Sequence, residues 1–140
     1  MTKREVRDGL QLASTSAATE ILETLGFMTA QKRRFTYEEA IDLLPEVQKI
    51  TGEAVKELEM VLSTESAAAS IEVPPELIRE YERVVSGWAE SMLRLGTEVK
   101  GLWLVDFDSG SGYYCWRYPE PSLQYFHDYD AGFSGRVKLN

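Results

Sequence analysis

At 140 residues, 44% apolar and 11% aromatic, the chain has the length and composition of one folded domain rather than of a disordered segment. Its single cysteine, Cys115, excludes an intramolecular disulfide and a cysteine-rich zinc site, and no apolar run approaches the roughly 18 residues of a membrane span. The net charge of −8, concentrated between residues 36 and 75, opposes binding of a phosphate backbone, so neither a nucleic-acid nor a membrane partner is expected.

The opening MTKREVRDGL is charged and lacks the apolar segment of a secretory leader, which points to a soluble cytoplasmic protein. Residues 1–33 read as an N-terminal extension with one short helix: Ser16 as N-cap, Ile21, Leu22 and Leu25 as apolar stripe, Gly26 as stop. Lys32, Arg33 and Arg34 then form a basic, solvated link to a single domain over residues 34–140.

Thr36 and Glu39 have capping-box spacing, and Phe35 stands ready to staple against Ala40, so a helix starts here. Pro45 removes a backbone bond and crowds the Ile41 carbonyl, at a cost of about 3 kcal/mol in a helix interior. The sequence therefore predicts a short helix over 37–43, a bend, and a second helix over 45–62 with Val47, Ile50, Ala54, Leu58 and Val61 on one face. After the Val73-Pro74-Pro75 stop, Pro75 opens a helix over 75–95 with the stripe Leu77 or Ile78, Tyr81, Val84, Val85, Trp88, Met92 and Leu95, and Gly96 ends it. Two helices of similar length with facing stripes make an antiparallel hairpin.

Beyond Gly96 the apolar period changes to two. One strand is predicted over 99–107, a turn at Asp108-Ser109-Gly110-Ser111-Gly112, a strand over 113–118, a turn at Pro119-Glu120-Pro121-Ser122, and a short strand over 123–128. The tail over 130–136 is expected to be an ordered loop packed by Phe133. The fold class is α+β: an antiparallel helical hairpin packed on a small three-stranded antiparallel sheet, with an N-terminal helical extension.

Several groups along this chain occur in an unusual fixed order: Phe35-Thr36-Tyr37-Glu38-Glu39-Ala40, Leu43-Leu44-Pro45-Glu46-Val47, Leu104-Val105-Asp106-Phe107, Cys115-Trp116-Arg117, Glu120-Pro121, Tyr125-Phe126-His127 and Asp130-Ala131-Gly132-Phe133-Ser134-Gly135-Arg136. In these the chain, over about residues 34–139, resembles a prokaryotic family catalogued as domain of unknown function 2203. Pro119, Ser122, Phe126 and Ser134 stand where the family more often has Gly, an acidic residue, Trp and Ala. The resemblance implies a fold and no established activity.

The chemistry is concentrated in residues 113–136, which hold the only His and the only Cys. Strand parity puts Tyr113, Cys115 and Arg117 on one face and Tyr114, Trp116 and Tyr118 on the other, with Arg117 near the 119–122 turn and His127 far from it. The candidate ligand-binding residues are Asp106, Trp116, Arg117, Glu120, His127, Asp130 and Arg136. Arg117 is expected half-buried, either as a strut to Asp106 or Glu120 or, with Arg136, as an anion site. His127 and Asp130, with Glu120, Asp106 or Asp128, would suit a divalent metal; the plainer reading has His127 bonding Asp130 or a backbone carbonyl to pin the tail. Cys115 between aromatics reads as an inert small hydrophobe. The expected function is a homodimeric interaction or ligand-binding module, with a protein or small anionic partner and no cofactor. The alternative is a metal-dependent enzyme of hydrolase or oxygenase type using His127, Asp130 and a carboxylate.

Overall fold

The computed structural model describes residues 33–65 and 72–139. The helix expected over 16–26 and most of the small-residue link after Ser63 lie outside the described residues. Two helices, α1 (Tyr37–Glu65) and α2 (Pro75–Arg94), precede five strands: β1 (Glu98–Gly101), β2 (Leu104–Asp108), β3 (Tyr113–Arg117), β4 (Tyr125–His127) and β5 (Val137–Lys138). The strands form one antiparallel sheet in chain order. The α+β class stands, with five strands in place of three.

The capping box starts α1 as its spacing predicts. Glu39 N–H donates to the Thr36 hydroxyl at 3.1 Å, and Thr36 N–H donates to the Glu39 carboxylate at 2.9 Å. The predicted bend at Pro45 does not occur; α1 runs unbroken through it. Ala40 and Leu44 before the proline are buried on the same side as Val47, Thr51, Ala54 and Leu58 after it. Burying Leu44 and Val47 contributes about 1.5–3 kcal/mol each, enough to offset a proline penalty of about 3 kcal/mol. Ile41 and Pro45 lie on the exposed side, where solvent satisfies the released carbonyl.

The hairpin is antiparallel: Trp88 Nε1 donates to Thr51 Oγ1 at 2.8 Å within the core, and Arg83 pairs with Glu57 at 2.7 Å on the surface. Helix α2 ends in a Schellman motif. Gly96, at φ +88°, donates to Leu93 O, and Thr97 donates to Met92 O. Arg33, exposed as a solvated link should be, also completes that end. Its guanidinium stacks 4.3 Å above the Phe35 ring and donates to Leu95 O at 3.2 Å.

The single strand expected over 99–107 is two strands, β1 and β2, folded back at Leu102 and Trp103. Neither is a turn residue, so alternation hid the reversal. Trp103 adopts φ 59°, which costs a non-glycine residue about 1–2 kcal/mol, and its ring packs edge-on against Trp88 at 4.8 Å. The tail is also more than a loop: after a short 3-10 turn at Phe133–Gly135, β5 adds to the sheet beside β4. Phe133 itself is exposed rather than packed inside.

Alternation gives the sheet two unlike faces. Val105, Phe107 and Trp116 point toward the helices and join Phe35, Val47, Leu77 and Trp88 in the apolar core. Asp106, Cys115 and His127 point the other way, on the face where Tyr129 packs on Tyr113 and Arg136 on Tyr125. Gly112 allows β3 and β4 to close: a Cβ there would meet the His127 carbonyl oxygen at 2.7 Å and the Phe126 ring.

Candidate functional site

Register builds the centre of the outer face. Asp106 on β2 pairs with Cys115 on β3, and Tyr113, two residues earlier on β3, pairs with His127 on β4. Asp106 and Cys115 are 0% exposed and His127 is 3% exposed, so three polar side chains are buried outside the apolar core. One ligand atom from each, a carboxylate oxygen, the thiol sulfur and an imidazole nitrogen, lie within 4.8 Å of one another.

His127 is held at both ring nitrogens. Nδ1 lies 2.8 Å from the Asp128 carbonyl oxygen and Nε2 lies 2.9 Å from Asp106 Oδ2. A carbonyl only accepts, so Nδ1 carries the hydrogen. Nε2 then faces a carboxylate oxygen, and the contact requires a proton or another cation between them. The other oxygen, Asp106 Oδ1, is buried without a hydrogen-bond partner among the described residues.

Burial raises the Asp106 carboxyl above the usual carboxylate range, against the opposing pull of His127. Burial likewise pushes the Cys115 thiol far up, and the Asp106 charge adds to it. The thiol and the Asp106 carboxylate interact across the two strands, yet Oδ1 itself meets no hydrogen-bond partner among the described residues. The raised thiol is disfavoured as a thiolate in the free protein.

Around this centre lies a polar and aromatic frame. Tyr129 packs edge-on against Tyr113 at 5.0 Å and donates to Asp108 Oδ1 at 2.6 Å. Tyr113 and Lys100 both donate to Glu98 Oε1, at 3.1 and 3.0 Å. At the other end Arg136 lies 3.9 Å above the Tyr125 ring and donates to both oxygens of Glu120, at 3.0 and 2.8 Å. Glu120 also accepts from the Arg117 backbone N–H at 2.8 Å.

The sequence candidates therefore divide. His127 and Asp106 meet, and Cys115 joins them. Asp130 does not: the chain turns through Ala131 N–H to Asp128 O, leaving Asp130 exposed. The His127 contact to a backbone carbonyl is present, at Asp128. Glu120 stands beside Arg117, at the end of β3 away from the Tyr113–His127 pair, and its carboxylate is taken by Arg136. It completes no set with His127. Arg117 is exposed, not half-buried, because it lies beyond the last β3–β4 pair; its guanidinium sits 5.2 Å from the Phe133 ring, and Arg136 makes the ion pair instead. Trp116 belongs to the core, with Nε1 donating to Glu120 O at 2.8 Å. Cys115 was the residue that sequence reasoning set aside. The signal lay in the 108–112 turn, which is centred so that Asp106 falls opposite Cys115.

A family model described as an uncharacterized conserved protein, DUF2203, matches residues 33–139. The chain belongs to that family. No curated protein and no solved structure matches it. The match spans every described strand of this DUF2203 domain, including the three that carry Asp106, Cys115 and His127.

The inner face of the DUF2203 sheet holds a second feature. A row of side chains crosses it from β2 to β5: Phe107, Tyr114, Phe126 and Val137, paired in register. Phe107 is 0% exposed and Val137 is 67% exposed, with Tyr114 and Phe126 between. Tyr37 of α1 packs on Tyr114 at 5.5 Å, and Tyr114 packs on Phe126 at 5.6 Å. The row is buried in the core at β2 and open at β5, one of the sheet's two edge strands among the described residues. No described helix is long and apolar enough to cross a membrane.

Proposed function

We propose that this domain is a cytoplasmic interaction module that forms homodimers through the open end of its inner sheet face. The observation that carries this reading is the apolar row itself, which continues from the core to a solvent-facing Val137 without becoming polar. Alternating strands place polar residues on solvated faces; an apolar residue at each cross-strand position out to the edge suits a covered surface. Tyr37, Tyr114 and Phe126 are the residue types that supply interface contact area at low entropic cost. A second copy brings an equivalent row and an equivalent two-residue edge, so a two-fold arrangement buries both at once.

Sedimentation velocity of the full chain over a range of concentrations tests this. The wild type is expected to sediment as a dimer, and Val137→Lys as a monomer with an unchanged circular dichroism spectrum. Val137 is exposed in the protomer, so its replacement leaves the core intact. A wild type that stays monomeric throughout, or a dimer that survives Val137→Lys, contradicts the proposal.

A further inference from the structure

We propose that Asp106, Cys115 and His127 form a binding site for one zinc-class divalent cation. The site is independent of the dimer surface, since the two use opposite faces of the sheet. Three observations carry it. The first is the imidazole orientation: with Nδ1–H donating to the Asp128 carbonyl, Nε2 presents its lone pair to the centre. That contact fixes the tautomer that a metal-binding histidine needs. The second is the Asp106 carboxylate. One oxygen stands 2.9 Å from that lone pair and the other is buried without a partner among the described residues, an unfavourable arrangement that a cation would complete. The third is the convergence of oxygen, nitrogen and sulfur ligand atoms within 4.8 Å, on three adjacent strands fixed by register.

The donor set selects the class of cation. A thiolate, an imidazole and a carboxylate together suit zinc and its near relatives; magnesium and calcium prefer oxygen alone. Charge also balances. Binding replaces the thiol proton of Cys115 and the proton shared by His127 and Asp106, so two protons leave as one dication enters. The cation, one thiolate and one carboxylate sum to zero, and the nearby Arg136 is already neutralised by Glu120, so no net charge is left in the buried centre. Three protein ligands leave a fourth position on a tetrahedral ion.

The chain has one His and one Cys, which makes the test unambiguous. The full chain is stripped with chelator, then loaded with zinc or with cobalt(II) as a spectroscopic substitute. The expected results are one equivalent of metal per chain, a sulfur-to-cobalt charge-transfer band, release of two protons per metal, and a higher melting temperature with zinc. Cys115→Ala fills the position with a small apolar group and is expected to keep the fold while losing the band and the zinc-dependent melting shift. His127→Gln provides a second, independent loss. A wild type with no stoichiometric metal, no cobalt–thiolate band and no melting shift overturns the proposal. So does stoichiometric metal that survives Cys115→Ala or His127→Gln unchanged.

Discussion

The two faces of this sheet are made by the same strands and held by different physics. The inner face is apolar, and its residues are interchangeable in kind: Val105, Phe107 and Trp116 each remove area from water. The outer face buries three polar groups whose value depends on each other, since His127 without Asp106 or Asp106 without His127 is an unsatisfied group in a dry place. Damage inside should therefore scale with volume lost, and damage outside with partners lost. Apolar burial alone does not require the second arrangement, and the cation site proposed above is built on it.

The largest effect expected is on the inner face. Phe107→Ala removes a fully buried ring that meets Phe35 edge-on at 5.3 Å and should cost about 3–5 kcal/mol, read from the urea unfolding midpoint. The outer face sharpens the contrast. His127→Leu strands Asp106 and should cost about 3–5 kcal/mol, whereas the double change Asp106→Leu with His127→Leu should recover most of that loss. If the double variant is as unstable as the single one, the two residues are not energetically linked and the contrast between the faces is wrong. Within the helical hairpin, Thr51→Val leaves Trp88 Nε1 buried without an acceptor and should cost about 1–3 kcal/mol.

The smallest effect expected is at the start of α1. Glu39 is held below the ordinary glutamate pKa, first by the Thr36 backbone N–H and then by its hydroxyl. A depressed carboxyl gives stability that is present above its unfolded pKa and lost as pH falls through the folded one. The melting temperatures of wild type and Glu39→Gln should differ at neutral pH and converge in acid. A difference that persists at low pH would mean that the capping carboxylate is not its source.

Much of this architecture was legible in the sequence, and the exceptions have physical causes. The capping box, the Pro75 start and the Gly96 stop are local signals, and local structure followed them. Pro45 misled because packing on both sides of it outweighs a local penalty. The β1–β2 reversal was hidden because Leu102 and Trp103 carry no turn signal, and the conformation of Trp103 is accompanied by a distant contact with Trp88. At the site, His127 and Asp106 were both named from sequence, yet the spacing of His127 and Asp130 drew attention to the wrong carboxylate. Proximity along the chain is a poor guide in a meander. Register across the 108–112 turn was the better one, and it brings Cys115 into the group.

The most direct measurement is native mass spectrometry of the zinc-loaded full chain beside Val137→Lys and Cys115→Ala. One spectrum of each reports assembly and metal content together. The expected result is a wild-type dimer carrying two metal ions, a Val137→Lys monomer carrying one, and a Cys115→Ala dimer carrying none. A metal-free wild-type monomer, or a Val137→Lys chain that loses its metal with its partner, would contradict the assignment of separate roles to the two faces.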